Sequence, residues 1–211
     1  MPAGLASPAL RQSVIGAILL AAGSSRRFSS DKLLAPLQDG TPMAARVATT
    51  LVAASIDVVA VVRPHASQLT EALTACGART ICCPDADEGM GTSLAWGVAA
   101  AAHWNGWLIA LADMPFVAES TVRAIVAAVA NGAVLAAPRY RGQRGHPVGF
   151  GAEFRASLLA LRGDRGGRDL VMAAGDRLHL VDCDDAGVLT DIDRPEDLER
   201  YNVQFGTRER E

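Results

Sequence analysis

Positive charge is not in excess in this chain: 20 Lys and Arg stand against 23 Asp and Glu, a formal net charge of −3 at pH 7. Without a global basic field, indiscriminate binding to nucleic acid or anionic lipid is not expected. A small-molecule partner is expected instead, with no nucleic acid and no membrane. The first apolar run, residues 14–22, is too short to cross a bilayer and has no cleavage-like polar segment after it. It reads as a buried strand rather than as part of a targeting signal. Cysteine is sparse, and Cys76, Cys82, Cys83 and Cys183 form neither a CxxC pair nor a metal-ligand spacing with histidine. Small buried thiols in a reducing, cytoplasmic compartment are therefore expected. Repeats and linkers are missing too, as is any serine or cysteine in a clear triad context. Trp96, Trp104 and Trp107 lack interleaved basic residues, so they read as core and surface aromatics and not as a base-stacking platform.

What is present is a 211-residue chain, half of it hydrophobic, which is enough for one sizeable core. Residues 1–12 read as a flexible arm, 13–203 as one domain and 204–211 as a flexible tail. Apolar strand-like runs (14–22, 56–62, 79–83, 107–112, 134–138) alternate with helical patterns at 43–54, 67–75, 94–102 and 118–130. Thr41 and Pro42 read as N-cap and first-turn residue of one helix, and Ser67 as the cap of another. After Pro138 come a polar loop to Pro147, a short strand at 149–151, a helix at 153–161, a glycine-rich segment 163–169, a helix from Leu170, a strand at 178–182 and a last helix opened by 191–195. Such alternation implies a three-layer α/β/α domain with a mostly parallel sheet and right-handed crossovers. Ligands then belong at the strand C-termini.

The strongest signal lies at that edge, in Leu20-Ala21-Ala22-Gly23-Ser24-Ser25-Arg26-Arg27-Phe28-Ser29-Ser30-Asp31-Lys32. Gly23 is expected to let the chain turn without a Cβ clash, and the following amides with Ser24 and Ser25 to form a concave anion site. Arg27 and Lys32 bring fixed positive charge; the plain alternative is a solvated basic loop. A dinucleotide fingerprint needs three spaced glycines and a P-loop needs GxxxxGK before Ser or Thr; this loop has neither. Asp113 follows an apolar run and precedes Pro115, so its carboxylate is expected beside the loop as a Mg²⁺ ligand, with Asp191 or Asp193 as the second acid. Capping of the last helix is the competing role for those two. Gly89, Met90 and Ser93 open a helix with little bulk and many donors, which suits a nucleotide's base or ribose. The flexible segment ending at Arg168 suits the phosphate of an acceptor, or is a plain connection.

Taken together these residues resemble the NTP-transferase signature LAAGxSxRxGxxK: Leu20, Ala21, Ala22, Gly23, Ser25, Arg27 and Lys32 match in spacing, and Ser29 stands where a second glycine is usual. The likeness continues through Gly89-Met90-Gly91-Thr92-Ser93, Leu111-Ala112-Asp113-Met114-Pro115, Arg144-Gly145-His146-Pro147-Val148 and Asp191-Ile192-Asp193-Arg194-Pro195. The set looks most like the molybdenum cofactor cytidylyltransferases. That resemblance implies a Rossmann-like nucleotidyltransferase fold, Mg²⁺ as cofactor, and CTP and a molybdopterin-type molecule as substrates. It also implies transient contact with a molybdoenzyme or its maturation factor. Arg27, Lys32 and Asp113 would be catalytic, Asp193 the second metal ligand, and His146 would face the second substrate. Related guanylyl-transferring enzymes resemble LAGG, so the Ala22 methyl is expected to exclude a purine at the mouth of the loop. A guanylyl- or sugar-phosphate nucleotidyltransferase, a non-catalytic nucleotide or pterin carrier, and a nicotinamide oxidoreductase are the rival readings.

Overall fold

The computed structural model describes residues 14–23, 31–54 and 56–206, with side chains up to Tyr201. The expectations for Ser24, Ser25 and Arg27, for the arm 1–12 and for the end of the tail lie outside those residues. In chain order the elements are β1 (Ile15–Ala21), α1 (Met43–Ala53), β2 (Val58–Val62), α2 (Ser67–Ala75), β3 (Arg79–Cys82), α3 (Met90–Ala100), β4 (Gly106–Leu111) and α4 (Glu119–Ala130). There follow β5 (Leu135–Tyr140), β6 (Gln143–Arg144), β7 (Val148–Gly151), α5 (Arg155–Leu159), α6 (Arg168–Ala174), β8 (Leu178–Asp182) and α7 (Pro195–Gly206).

The strands form one sheet in the order β3-β2-β1-β4-β7-β5-β6, with β8 also paired to β5. β1, β2, β3 and β4 are mutually parallel. β7 runs antiparallel between β4 and β5, and β8 runs parallel to β5. The ends of β1, β2, β4, β5 and β8 therefore share one edge of a mostly parallel sheet. β1, β2 and β4 read as unbroken apolar runs because helices bury both their faces. On one face Val47 and Leu51 of α1, Leu69 and Leu73 of α2, and Val122 and Ile125 of α4 cover the sheet. On the other lie Leu94 and Val98 of α3, Leu158 of α5 and Val171 of α6. This is the three-layer α/β/α arrangement the alternation implies.

Local details depart from the sequence pattern. Pro42, not Thr41, takes the N-cap position of α1, because the Thr41 amide donates to Asp39 Oδ1 at 3.0 Å and Pro42 bridges back to Pro36 in extended conformation. Ser67 is the first residue of α2 and makes no cap; Ala66 precedes it. The helix expected at 153–161 is a 3-10 turn Ala152–Phe154 followed by the shorter α5, and the Leu161 amide donates to the Leu158 carbonyl three residues back at 3.3 Å. The polar loop after Pro138 contains a hairpin, β5–β6, turned by Arg141 and Gly142 at positive φ (48° and 81°).

Trp104 and Trp107 are fully buried and Trp96 is exposed, which divides core from surface among the tryptophans as expected. The Trp104 ring lies against β1 where only glycine fits: a Cβ on Gly16 would fall 2.3 Å from the indole. Trp104→Ala is expected to cost about 3–5 kcal/mol and Gly16→Ala about 1–3 kcal/mol in urea unfolding. The double variant should lose less than the sum, because the space vacated by the indole receives the new methyl. Strict additivity would show that the two positions do not meet.

Candidate active site

Three parts of the chain converge beyond the ends of β1 and β4. Lys32 opens a 3-10 turn, Lys32–Leu34, whose cap is Asp31: its Oδ1 accepts from the Leu33 amide at 3.1 Å. Leu33 is buried in the core on the α1 side, which fixes the turn and with it the lysine stem. Asp113 follows β4, where the Ala112 amide donates to the Leu20 carbonyl at 3.1 Å and prolongs the β1–β4 pairing. The buried Ile192 donates its amide to the Asp113 carbonyl at 2.9 Å, laying residues 191–193 alongside.

The result is one ammonium between two carboxylates. Lys32 Nζ donates to Asp113 Oδ2 at 3.0 Å and to Asp193 Oδ1 at 3.2 Å. Side-chain exposure rises from Lys32 (10%) through Asp113 (28%) to Asp193 (51%), so the cluster is closed at the lysine and open at the acids. Two partly exposed hard-oxygen donors fit a magnesium-like ion, which takes one or two carboxylates and completes its shell with phosphate and water. No group of three or more His, Cys, Asp or Glu suited to a metal occurs among the described residues, so the ion would depend on its substrate for ligands. At the start of α7 a capping role is filled by Asp197. Asp197 Oδ2 accepts from the Asp193 and Arg194 amides at 3.1 and 2.8 Å and so caps α7.

Other expected residues fall differently. Leu20 and Ala21 end β1, and Gly23 is exposed just beyond it. Gly23 does not have the positive φ of a forced turn, and a Cβ there meets nothing within 4 Å among the described residues, so no clash within them explains the glycine. Ala22 is only 6% exposed and packs in the cluster with Cys83, Ala86 and Leu94. Its methyl is therefore part of the packed core on the α3 side.

The segments 89–93 and 163–168 form one unit. The Gly91 amide donates to the Gly163 carbonyl at 2.8 Å, the Gly163 amide donates to Thr92 Oγ1 at 3.0 Å, and that hydroxyl donates to Glu88 Oε2 at 3.0 Å. A Cβ on Gly91 would lie 2.2 Å from the Arg165 carbonyl oxygen, which is why this crossing takes glycine. Ser93 is buried, with its side chain at the Cys83 thiol. Met90 is exposed, Gly89 precedes it at φ 132°, and the exposed Arg168 begins α6.

His146 precedes Pro147 across a cis peptide bond, and its amide donates to the Val188 carbonyl at 2.9 Å. Its ring borders a cavity of about 20 Å³ with Leu51, Met114 and Pro115, and Nδ1 is buried without a hydrogen-bond partner among the described residues. Burial, reinforced by the nearby Arg144 charge and opposed by Asp191, pushes its pKa down from 6.5 to about 4. It is a neutral imidazole at pH 7, and any substrate contact falls to the rest of the ring.

One residue escaped the sequence reading. Arg63, directly after β2, donates from Nη2 to the Ala22 carbonyl at 2.9 Å; its place at the end of an apolar run was the available signal. Thr92 stands within the 89–93 segment singled out by sequence, but its partner Gly163, 71 residues away, was not legible there.

An α/β domain that gathers a lysine and two carboxylates at the C-terminal ends of two parallel strands has the make-up of a nucleotidyltransferase. The chain belongs to the MobA-like NTP transferase domain family, whose model matches residues 17–180. Over 192 residues it is 30% identical to the nicotine blue oxidoreductase of Paenarthrobacter nicotinovorans, covering 87% of this chain and 94% of that protein. It is equally 30% identical, over 209 residues, to the purine catabolism protein PucB of Bacillus subtilis (strain 168), covering 90% and 97%. Among solved structures, Rv0371c of Mycobacterium tuberculosis H37Rv superimposes with a TM-score of 0.78 at 27% identity, covering 89% and 96%. A manganese complex of Rv0371c aligns with a TM-score of 0.74 at 25% identity.

Burial of neutral His146 has a consequence for stability. Between its unfolded pKa of 6.5 and its folded pKa of about 4, the unfolded chain binds more protons. Stability should therefore fall as pH drops through that window. His146→Gln is expected to flatten this part of the curve, measured as urea midpoints from pH 7 to pH 4; an unchanged slope would assign the acid sensitivity to other groups.

Proposed function

We propose that this nucleotidyltransferase moves CMP from CTP to the terminal phosphate of a molybdopterin-type cofactor, releasing pyrophosphate, with Mg²⁺ as the divalent cation. The observation that carries the transfer chemistry is Lys32 Nζ held 3.0 and 3.2 Å from Asp113 and Asp193 at the end of β1 and β4. The identity of base and acceptor rests on the resemblance of LAAG, RGHPV and DIDRPEDL. A cytoplasmic location and transient docking to a molybdoenzyme or its maturation factor belong to the same reading.

In this mechanism an acceptor phosphate oxygen attacks the α-phosphorus of CTP. The new P–O bond forms as the bond to the bridging oxygen breaks, and pyrophosphate departs. With a second pKa of about 6 the phosphate is already a nucleophile at neutral pH, so no general base is required. Lys32, with Arg27 from the neighbouring loop, neutralises charge building on the α-phosphate and the leaving group. Asp113 and Asp193 would hold the divalent cation, which supplies further charge neutralisation when bound. Support for a divalent ion comes from the manganese complex of the related Rv0371c. Ser24, Ser25 and the Gly23 amide cradle phosphates, Leu20 to Ala22 with Gly89 and Met90 border the nucleoside, and Arg168 and His146 face the acceptor.

Lys32→Ala and Arg27→Ala are each expected to lower turnover by about two orders of magnitude without unfolding the protein, because both act on transition-state charge. Asp113→Asn should abolish metal-dependent turnover and Asp193→Asn should raise the Mg²⁺ requirement. Parent-like pyrophosphate release in the lysine and arginine variants, with normal circular dichroism, would overturn this assignment.

Base choice is tested by kcat/KM for CTP, GTP and ATP with one acceptor, in the parent and in Ala22→Gly. One methyl discriminates by about 1–3 kcal/mol, and Ala22, being packed inside, acts through the set of the loop. The variant should relax the CTP preference without inverting it. A parent that prefers GTP would refute the cytidylyl reading, and an unchanged ratio would remove Ala22 from it.

That the Paenarthrobacter relative is a nicotine blue oxidoreductase favours a second reading, a nicotinamide oxidoreductase. Nicotinamide oxidation by the purified protein, with no pyrophosphate released from any nucleotide, would establish that alternative.

A further inference from the structure

β1 and β2 end level: Ala21 pairs with Val62, so Ala22 and Arg63 are the first residues beyond the register. Arg63 turns its guanidinium onto Ala22, donating from Nη2 to the carbonyl oxygen at 2.9 Å. A longer ion pair, 3.6 Å, joins Nη2 to Asp87 Oδ1 in the 3-10 turn that leads to Gly89. Asp87 is 92% exposed, and such a pair contributes little to stability. Arg63 Nε, meanwhile, is buried without a hydrogen-bond partner among the described residues, which is a cost. The exposed ion pair therefore does not account for an arginine in this place.

Its effect on the peptide unit does. A peptide is planar and trans, so a pinned Ala22 carbonyl also fixes the Gly23 N–H, which points the opposite way, away from Arg63. That amide is the first donor of the loop assigned to phosphate. A cationic donor on the carbonyl also polarises the unit, making the N–H a stronger donor to an anion. We infer that Arg63 is a positioning residue for the triphosphate, acting through the Ala22–Gly23 peptide without touching the ligand. The inference rests on the nucleotidyl-transfer reading but not on which base is used.

The test therefore uses a probe without a base: inorganic tripolyphosphate with Mg²⁺, titrated calorimetrically, beside KM and kcat for CTP. Arg63→Met should weaken tripolyphosphate binding by about tenfold, the size of one lost charge-assisted bond. KM for CTP should rise by a similar factor while kcat stays within about threefold. Arg63→Lys, which keeps a cationic donor, should recover most of the loss, and Arg63→Gln provides a second uncharged variant should the methionine protein not fold. Asp87→Asn breaks only the long ion pair and should bind like the parent. Tripolyphosphate binding by the uncharged variants within twofold of the parent would overturn the inference while leaving nucleotidyl transfer intact. An equal loss in Asp87→Asn would overturn it too, assigning the effect to the 86–88 turn. A parent that binds neither tripolyphosphate nor CTP would overturn nucleotidyl transfer and this inference together.

Discussion

A lysine ammonium withdrawn from water must be met by negative charge, because an unpaired buried cation costs several kcal/mol. Lys32 meets two carboxylates, from residues 81 and 161 positions further along the chain. Much of the architecture serves that meeting. β1 and β4 must be neighbours and parallel for the loop after one and the aspartate after the other to reach the same edge. The segment before α7 must then be strapped to Asp113, as the Ile192 amide does. Among the described residues one cation faces two acids there, and the cluster opens on the side of the acids, a setting that suits a divalent ion.

That strap is held along its length. The buried Asp185 accepts from the Ala118 amide, the Thr121 hydroxyl and the Gly187 amide, tying the turn after β8 to the start of α4. Three residues on, the Val188 carbonyl accepts from His146, and two beyond Thr190 the chain reaches Ile192 and Asp113. Asp197 then caps α7 from within and leaves the Asp193 carboxylate to face Lys32. A carboxylate with three donors is satisfied without a counter-ion, so the strap consumes none of the charge needed at the site. On the opposite side, Thr92 and the two glycines at 89 and 91 lock the start of α3 to the 163–165 crossing. The 89–93 and 163–165 segments thus share hydrogen bonds, and displacement of one is felt by the other.

The sequence by itself determined the layers and the edge. Strands buried on both faces must be apolar throughout, so β1, β2 and β4 are legible as runs, and helices between them must lie on the faces they cover. Asp113 and Lys32 were legible because chain position relative to a strand end is a local property. What only the tertiary structure decided were matters of direction and partner. Asp197 takes the cap of α7, Ala22 and Ser93 are buried, and Arg63 reaches the Ala22 carbonyl. Each depends on which atoms from distant segments arrive at hydrogen-bond distance, and hydrophobic periodicity carries no record of that.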